Sequence, residues 1–350
     1  MRFELSDDQR LLRDATTDFL SNESPMATSR AISEAEGEGF SRQQWKKLAE
    51  LGYLGLLAPE AAGGQALGAI ELAVVLQQMG RVCFAGPYLD VVLAAKVLEA
   101  AGGRDELLSA VVVGDRIVTI ARADGIWPTE GNHVRFADGR VEGTKVFVPF
   151  AESADVLLVT TDAGLVLAEA PFEVEAMPTL DEAQRFSKVT LSGAADLIGG
   201  NNLIDEVADL AEIGAAAVAL GICEAALEAS VRYATERETF GKPIGVYQVL
   251  QHRMADMVLR TESSRATVFR AAWCVDNDSA DRAIAVAAAK QYAVESANRI
   301  ARDALQIHGG NGFTWEYDIH RWLKLAVTLD QRYGSRDELL ERALAEAEAL

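Results

Sequence analysis

The sequence predicts a mainly α-helical protein with a small antiparallel β domain in its middle. Three observations carry this expectation. Apolar residues recur at helical spacing from the N-terminus to about residue 112. Short β-rich runs divided by turn residues occupy about 113–195. Long alanine-rich helical stretches fill the remainder. The expected domains are therefore 1–112, 113–195 and 196–350. At about 150 residues per domain, 350 residues suit two or three units with a sizeable core.

In chain order, Ser6 is placed to cap a helix whose one face carries Leu11, Leu12, Ala15 and Phe19. Asp7 and Asp8 stand in its positively polarised first turn. A second helix starts near Ser41 and runs through Trp45, Leu48 and Leu51 to Gly52. Pro59 and Gly63-Gly64 break the chain before an apolar segment from Ala69 to Met79. Gly86-Pro87 precedes a helix over 89–101, closed by Gly102-Gly103. The runs Arg116–Ile120, Val141–Val148, Val156–Val159 and Val189–Leu191 read as strands. Gly114-Asp115, Ala137-Asp138-Gly139 and Asp162-Ala163-Gly164 supply turns. Ala208–Ala234, Tyr247–Val275 and Ala283–Gln306 exceed an average globular helix, so they predict an antiparallel bundle; Asp337–Leu350 is a charged amphipathic tail helix.

With 33 Lys and Arg against 53 Asp and Glu, the formal charge is −20. Such a field repels phosphate-rich partners, which argues against nucleic acid or an anionic membrane as the main ligand. A local basic pocket for a phosphorylated cofactor is compatible with it. The N-terminus has no apolar signal-peptide core, and no 18-residue apolar run predicts a transmembrane helix. Cys83, Cys223 and Cys274 are odd in number and scattered, which fits small buried hydrophobes in a reducing cytoplasm. Four histidines and no cysteine pair at ligand spacing predict no metal centre.

Phosphate-loop, hydrolase-elbow and Rossmann glycine motifs are all missing. Two other segments stand out: Arg-Glu-Thr-Phe-Gly-Lys-Pro-Ile-Gly at 237–245, and Gln-Ile-His-Gly-Gly-Asn-Gly-Phe at 306–313. Singly, the first reads as a helix–helix turn and the second as a helix cap. Together they supply an arginine, amides and exposed backbone within one bundle, groups that suit a pyrophosphate and a nucleotide.

These two segments, extended to RYATERETFGKPIGVYQVLQHRMADM and QIHGGNGFTWEYDIHRWLK, resemble the acyl-CoA dehydrogenase family of flavoproteins, as do LSDDQRLLRDATTDFL and LAELGYLGLLAPEAAGGQALGAIELA nearer the start. The resemblance runs over nearly the whole chain. It implies an N-terminal helical domain, a middle β domain and a C-terminal four-helix bundle, with FAD as cofactor. It further implies an acyl-CoA substrate and electron-transfer flavoprotein as acceptor. Arg237 matches the arginine that reaches the FAD pyrophosphate of a neighbouring subunit, with Thr239 and Phe240 beside it and Gln248 lining the same site. Gln306, Gly309 and Gly310 match the segment receiving the adenosine–pyrophosphate part from the other protomer. A site shared in this way implies a dimer at least.

The chain also departs from the family pattern. Ala121–Pro128 and Thr144–Ala151 stand where typical members carry their flavin-contacting segments, and the usual hydroxyls are missing. Trp127 reads as a core or interface aromatic. The α-proton of the thioester must be taken by a carboxylate in a dry pocket. The family's two positions for it hold Ala211 and Tyr333 here, Tyr333 being followed by Gly334. Glu212 is the candidate base, although one residue turns a helical side chain by about 100°; Asp330 is a weaker one. An ion-paired helix face is the alternative for both. His252 reads as a packing residue, and His308 as a satisfied neutral histidine or a phosphate donor.

Retained C-terminal motifs with a missing glutamate resemble the β-type subunits of heterotetrameric bacterial acyl-CoA dehydrogenases known from steroid side-chain degradation. Three readings stay open: a subunit of an α2β2 enzyme with a longer paralogue, a self-sufficient homo-oligomer using Glu212, and a non-catalytic scaffold.

Overall fold

The structure is a computed structural model describing residues 4–124 and 134–349; Trp127 lies outside the described residues. Six helices come first: α1 (Asp7–Glu23), α2 (Met26–Glu34), α3 (Arg42–Glu50), α4 (Ala69–Arg81), α5 (Tyr88–Ala101) and α6 (Asp105–Val112). The described strands of the sheet follow: β1 (Val118–Ala121), β2 (Arg135–Ala137), β3 (Arg140–Pro149), β4 (Val156–Thr160), β5 (Leu165–Glu169), β6 (Glu173–Met177) and β7 (Phe186–Gly199). Then come α7 (Asn202–Asp205), α8 (Ala208–Glu236), a two-stranded hairpin of β8 (Glu238–Thr239) and β9 (Lys242–Pro243), α9 (Gln248–Asp276), α10 (Arg282–His308), α11 (Ile319–Gln331) and α12 (Arg336–Ala349).

Local chemistry sets several boundaries. The Ser6 hydroxyl accepts from the Gln9 amide at 3.1 Å, and the Gln9 side chain accepts from the Ser6 amide at 2.9 Å. This reciprocal capping box opens α1. Ser41 caps α3 through the Gln44 amide. Helices α2 and α6 and strands β2, β5 and β6 were not separately legible in the sequence.

Contacts gather the chain into two compact units: Ala31–Leu67 with Ala85–Ala208, and Met1–Arg30 with Gly68–Phe84 and Asp209–Leu350. The first contains the sheet, in the order β1-β4-β5-β7-β3-β2 with β6 beside β7. Its pairings are antiparallel, as expected, except that β1 runs parallel to β4. A parallel pair needs a long crossover, and the chain between β1 and β4 supplies one that forms β2 and β3 beyond β7, with Val146 of β3 bridged to Ala123 just after β1. Asp138 and Gly139 both take positive φ at the β2–β3 turn, as a tight hairpin requires. Val141, Val148, Leu157, Val159, Val166, Val189 and Leu191 fill the core of the sheet domain. Strand β7 extends well beyond Val189–Leu191 because β3, β5 and β6 all pair with it.

In the second unit, α8 is buried on all sides from Leu210 to Ala226, while its last turns reach solvent. A Cβ at Gly80 of α4 would collide with the Val218 carbonyl, and one at Gly221 of α8 with the Gln77 carbonyl, so these helices cross at backbone contact. By composition, Asn202–Glu236 is apolar enough to cross a membrane, but 89% of its most apolar window is buried in the protein, as befits a core helix. The three cysteines are free and buried.

Two polar devices lock this packing. Asp276 at the end of α9 accepts from the Ala69 and Ile70 amides at 2.6 and 3.1 Å, capping α4. Buried Glu224 on α8 accepts from Gln77 (2.6 Å), Arg81 (3.0 Å) and Arg265 (2.5 Å), joining α4, α8 and α9. Glu224→Ala takes one carboxylate from two half-exposed guanidinium groups, which keep Glu228 and Glu262, and leaves the buried Gln77 amide without this acceptor. It is expected to cost about 2–3 kcal/mol in a denaturant titration.

Candidate functional site

At one end of the bundle, α8 stops at Glu236 and the chain enters the β8–β9 hairpin. The Arg237 amide donates to the Tyr233 carbonyl at 2.9 Å, and its carbonyl accepts from Ile244 at 2.8 Å, which sets the base of the hairpin. Phe240 and Gly241 take φ of +55° and +76° at the tip, the pairing a two-residue hairpin turn demands. Phe240 is thereby thrust outward, 92% exposed. Thr239 is half-buried and its carbonyl accepts from the Tyr247 hydroxyl at 3.3 Å. Gln248 is exposed at the first turn of α9. The Arg237 guanidinium is exposed and makes no ion pair among the described residues.

The second segment ends α10 at the same place. Gln306 and Gly310 are exposed; Gly309 has φ +57°, and a Cβ at either glycine would meet open space. Tyr233, which the sequence did not single out, joins the two segments. Its ring stacks on His308 with centroids 4.3 Å apart, and its hydroxyl accepts from Asn311 at 3.4 Å. His308 is buried with Nδ1 at 2.8 Å from the Ala304 carbonyl, and burial pushes its pKa down. It is a packed neutral histidine. His252, expected in packing, is instead exposed on α9, because that face of the helix is uncovered within this chain.

The two positions expected for the base, Ala211 and Tyr333, lie elsewhere in the bundle, around Glu212 and Gly334. Glu212 on α8 is 4% exposed, and its Oε1 lies 3.7 Å from where a Gly334 Cβ would be. Both its oxygens are taken by Arg342 of α12, at 2.8 and 2.5 Å. Burial pushes the Glu212 carboxyl up, against the opposing pull of Arg342. Ala211 is buried beside it. Tyr333 has φ +58°, with the Arg332 guanidinium 4.5 Å from its ring centroid. Asp330 is exposed. Lys290 of α10, 2% exposed, donates to the Gly334 carbonyl. Neither Lys290 nor Arg342 carried a motif, since only tertiary structure brings them to Glu212.

Lys290 gives a pH prediction. Burial pushes its pKa from 10.5 down to about 8, with Glu212, Asp330 and Glu338 opposing. The folded state therefore releases a proton that the unfolded chain keeps between about pH 8 and 10.5, and this group's contribution to stability rises with pH across that window. Lys290→Met is expected to flatten the rise, by on the order of 2–3 kcal/mol between pH 7 and 10 in paired denaturation curves.

In the middle sheet domain another buried lysine holds Arg122, Asp124 and Thr160 together. Lys145 Nζ donates to Asp124 Oδ1 (2.5 Å), the Arg122 carbonyl (3.1 Å) and Thr160 Oγ1 (2.9 Å).

Helices on either side of a mainly antiparallel sheet in the chain, with an arginine unpaired among the described residues and an open glycine turn at one bundle end, define the class. The models for the N-terminal and C-terminal domains of acyl-CoA dehydrogenases match residues 6–107 and 199–347. The chain belongs to the acyl-CoA dehydrogenase family. Acyl-CoA dehydrogenase FadE27 of Mycobacterium tuberculosis is 34% identical over 87% of this chain and 87% of that protein. Among solved structures, the ChsE4–ChsE5 complex from Mycobacterium tuberculosis contains a chain 30% identical, with a TM-score of 0.89 and full coverage of both. A chain of the Tcur3481–Tcur3483 steroid acyl-CoA dehydrogenase is 28% identical, with a TM-score of 0.88, covering 98% of this chain and 99% of that one.

Proposed function

We propose that this chain is one subunit of a heteromeric, FAD-dependent acyl-CoA dehydrogenase, and that a longer paralogous subunit supplies the catalytic carboxylate. One observation carries the reading: Glu212, the carboxylate beside Ala211 and Gly334, is buried and bound through both oxygens to Arg342. A base must accept a proton from carbon, and a carboxylate with both oxygens on a guanidinium is a poor acceptor. This weighs against the self-sufficient enzyme.

The residues present suit FAD. Arg237 offers an unpaired guanidinium to a pyrophosphate, and Gly309 and Gly310 leave open space for close approach. Thr239, Phe240, Gln248 and Gln306 would line the same site from the hairpin, α9 and α10. These features weigh against a non-catalytic scaffold, which has no use for an unpaired arginine in a chain of charge −20. FAD, when bound, supplies the acceptor for the hydride that leaves the β carbon. The chain's own part is to hold the phosphates and complete the site across a subunit interface.

The three-part division 1–112, 113–195 and 196–350 accompanies this reading, as do an α2β2 assembly, a bulky or steroid-derived acyl-CoA, and electron-transfer flavoprotein as acceptor. The steroid enzyme and the ChsE4–ChsE5 complex support the substrate class and the heteromeric assembly. A homodimer is the alternative assembly. Co-expression with a longer paralogue, followed by native mass and a visible spectrum, tests the proposal. A yellow complex holding two copies of each chain is expected; a colourless product, or separate chains, would overturn it.

A further inference from the structure

We propose that Glu212 and Arg342 form a latch that docks the C-terminal helix α12, together with the Tyr333–Gly334 turn, onto the bundle, and that this segment leaves as a unit when the latch opens. The inference rests on how little else holds α12. Leu339 is the only buried hydrophobic side chain among its described residues, while Leu340 and Leu344 are exposed. The helix is rigidly coupled to the turn before it. The Ser335 amide donates to Glu338 at 2.7 Å and the Glu338 amide to the Ser335 hydroxyl at 3.4 Å, a capping box one residue after Gly334.

Against this thin apolar contact stands a two-point ion pair whose carboxylate is buried and whose guanidinium is partly open to solvent. Arg342 reaches both Glu212 oxygens and lies 3.5 Å from Asp209, which Arg282 of α10 holds at 2.9 Å. Lys290 adds a second fastening to the Gly334 carbonyl. Breaking one side of such a pair leaves a charge with only a weaker partner, Asp209 for Arg342 or Lys290 for Glu212, and that state is relieved when α12 moves away and admits water. The latch thus assigns Glu212 a docking role in place of proton transfer.

The latch has a pH sense. Glu212 faces Arg342 of α12, Asp209 of its own helix and Lys290 of α10; Lys290 in turn faces Asp330 and Glu338. Burial has raised the Glu212 carboxyl, so acidification neutralises the carboxylate side first, while Arg342 stays charged.

Hydrogen exchange measured by mass spectrometry on the full chain, in its purified assembly, tests this without reference to flavin or turnover. In Glu212→Gln, and in Arg342→Met, the amides of 336–349 are expected to exchange on the order of 100-fold faster, with α8, α9 and α10 unchanged. The double variant is expected to add little to either single one, because both break the same link. In the unsubstituted chain, mild acid is expected to speed exchange in 336–349 after correction for intrinsic rates, and Glu212→Gln is expected to abolish that response. Unchanged protection of 336–349 in the isosteric Glu212→Gln chain, additive effects in the double variant, or the same acid response with and without Glu212, would each overturn the latch. Should Arg342→Met fail to fold, the Glu212→Gln and acid measurements decide alone.

Discussion

Purified alone, the chain is expected to oxidise acyl-CoA about 10²–10⁴-fold more slowly than its complex with the paralogue, the usual worth of a positioned general base. The reaction asks one group to take the α-proton while hydride leaves the neighbouring carbon. That group must be a carboxylate in a dry site, free on at least one oxygen and with its pKa raised. Here Ala211 has no proton acceptor, Tyr333 is a phenol beside the Arg332 guanidinium, and Asp330 is open to water. Glu212 has the burial and the raised pKa, but Arg342 occupies both oxygens. A dye-reduction assay of the isolated chain, the paralogue and their mixture makes the measurement. Within the complex, Glu212→Gln is expected to change the rate modestly, and loss of the paralogue's glutamate to abolish it. Robust turnover by the isolated chain, lost on Glu212→Gln, would restore the self-sufficient reading.

Glu212 also shows where sequence reasoning runs out. A one-residue step from Ala211 was visible, and so was the choice between a base and an ion-paired face. What the ion-paired alternative depends on is that α8 is buried all round at this level, leaving Glu212 no solvent face and obliging its charge to find a partner. The partner is 130 residues away on a helix that reads in the sequence only as a charged tail. No local pattern encodes that pairing.

Features whose physics is local were legible. The serine caps of α1 and α3, the Asp138-Gly139 turn and the glycine stop of α5 depend on residues within a few positions of each other. The long bundle helices came from periodicity, and their observed limits fall within a few residues of those expected. The middle sheet was legible as β but not in its topology. The parallel β1–β4 pair and the full length of β7 are set by which strands meet across the sheet, and propensity carries no such information. The two motif segments were legible as motifs, while Tyr233, which joins them in space, looks in the sequence like any other helix residue.

Arg237→Ala is expected to weaken FAD retention by about 1.5–3 kcal/mol, the range for a hydrogen bond to a charged group, or roughly one to two decades in affinity. The structure makes this residue unusually clean to test. Its backbone, not its side chain, sets the base of the hairpin, through the Tyr233 carbonyl and the Ile244 amide. The residue is exposed and forms no ion pair among the described residues, so truncation removes no salt bridge within them. The fold should therefore survive, and a change in flavin content reports on the phosphate contact. Arg237→Lys separates charge from shape: it keeps the positive charge but loses the planar fork that matches two phosphate oxygens, so it is expected to fall between wild type and alanine. Salt gives a further check, since a charge contact at an exposed position is screened and the gap between wild type and alanine should narrow as ionic strength rises. Flavin titration or dialysis of the complex, with bound FAD read in the visible spectrum, makes the measurement. If Arg237→Ala holds FAD as tightly as the unsubstituted protein, this arginine does not reach the pyrophosphate and the cofactor assignment at this end of the bundle is wrong.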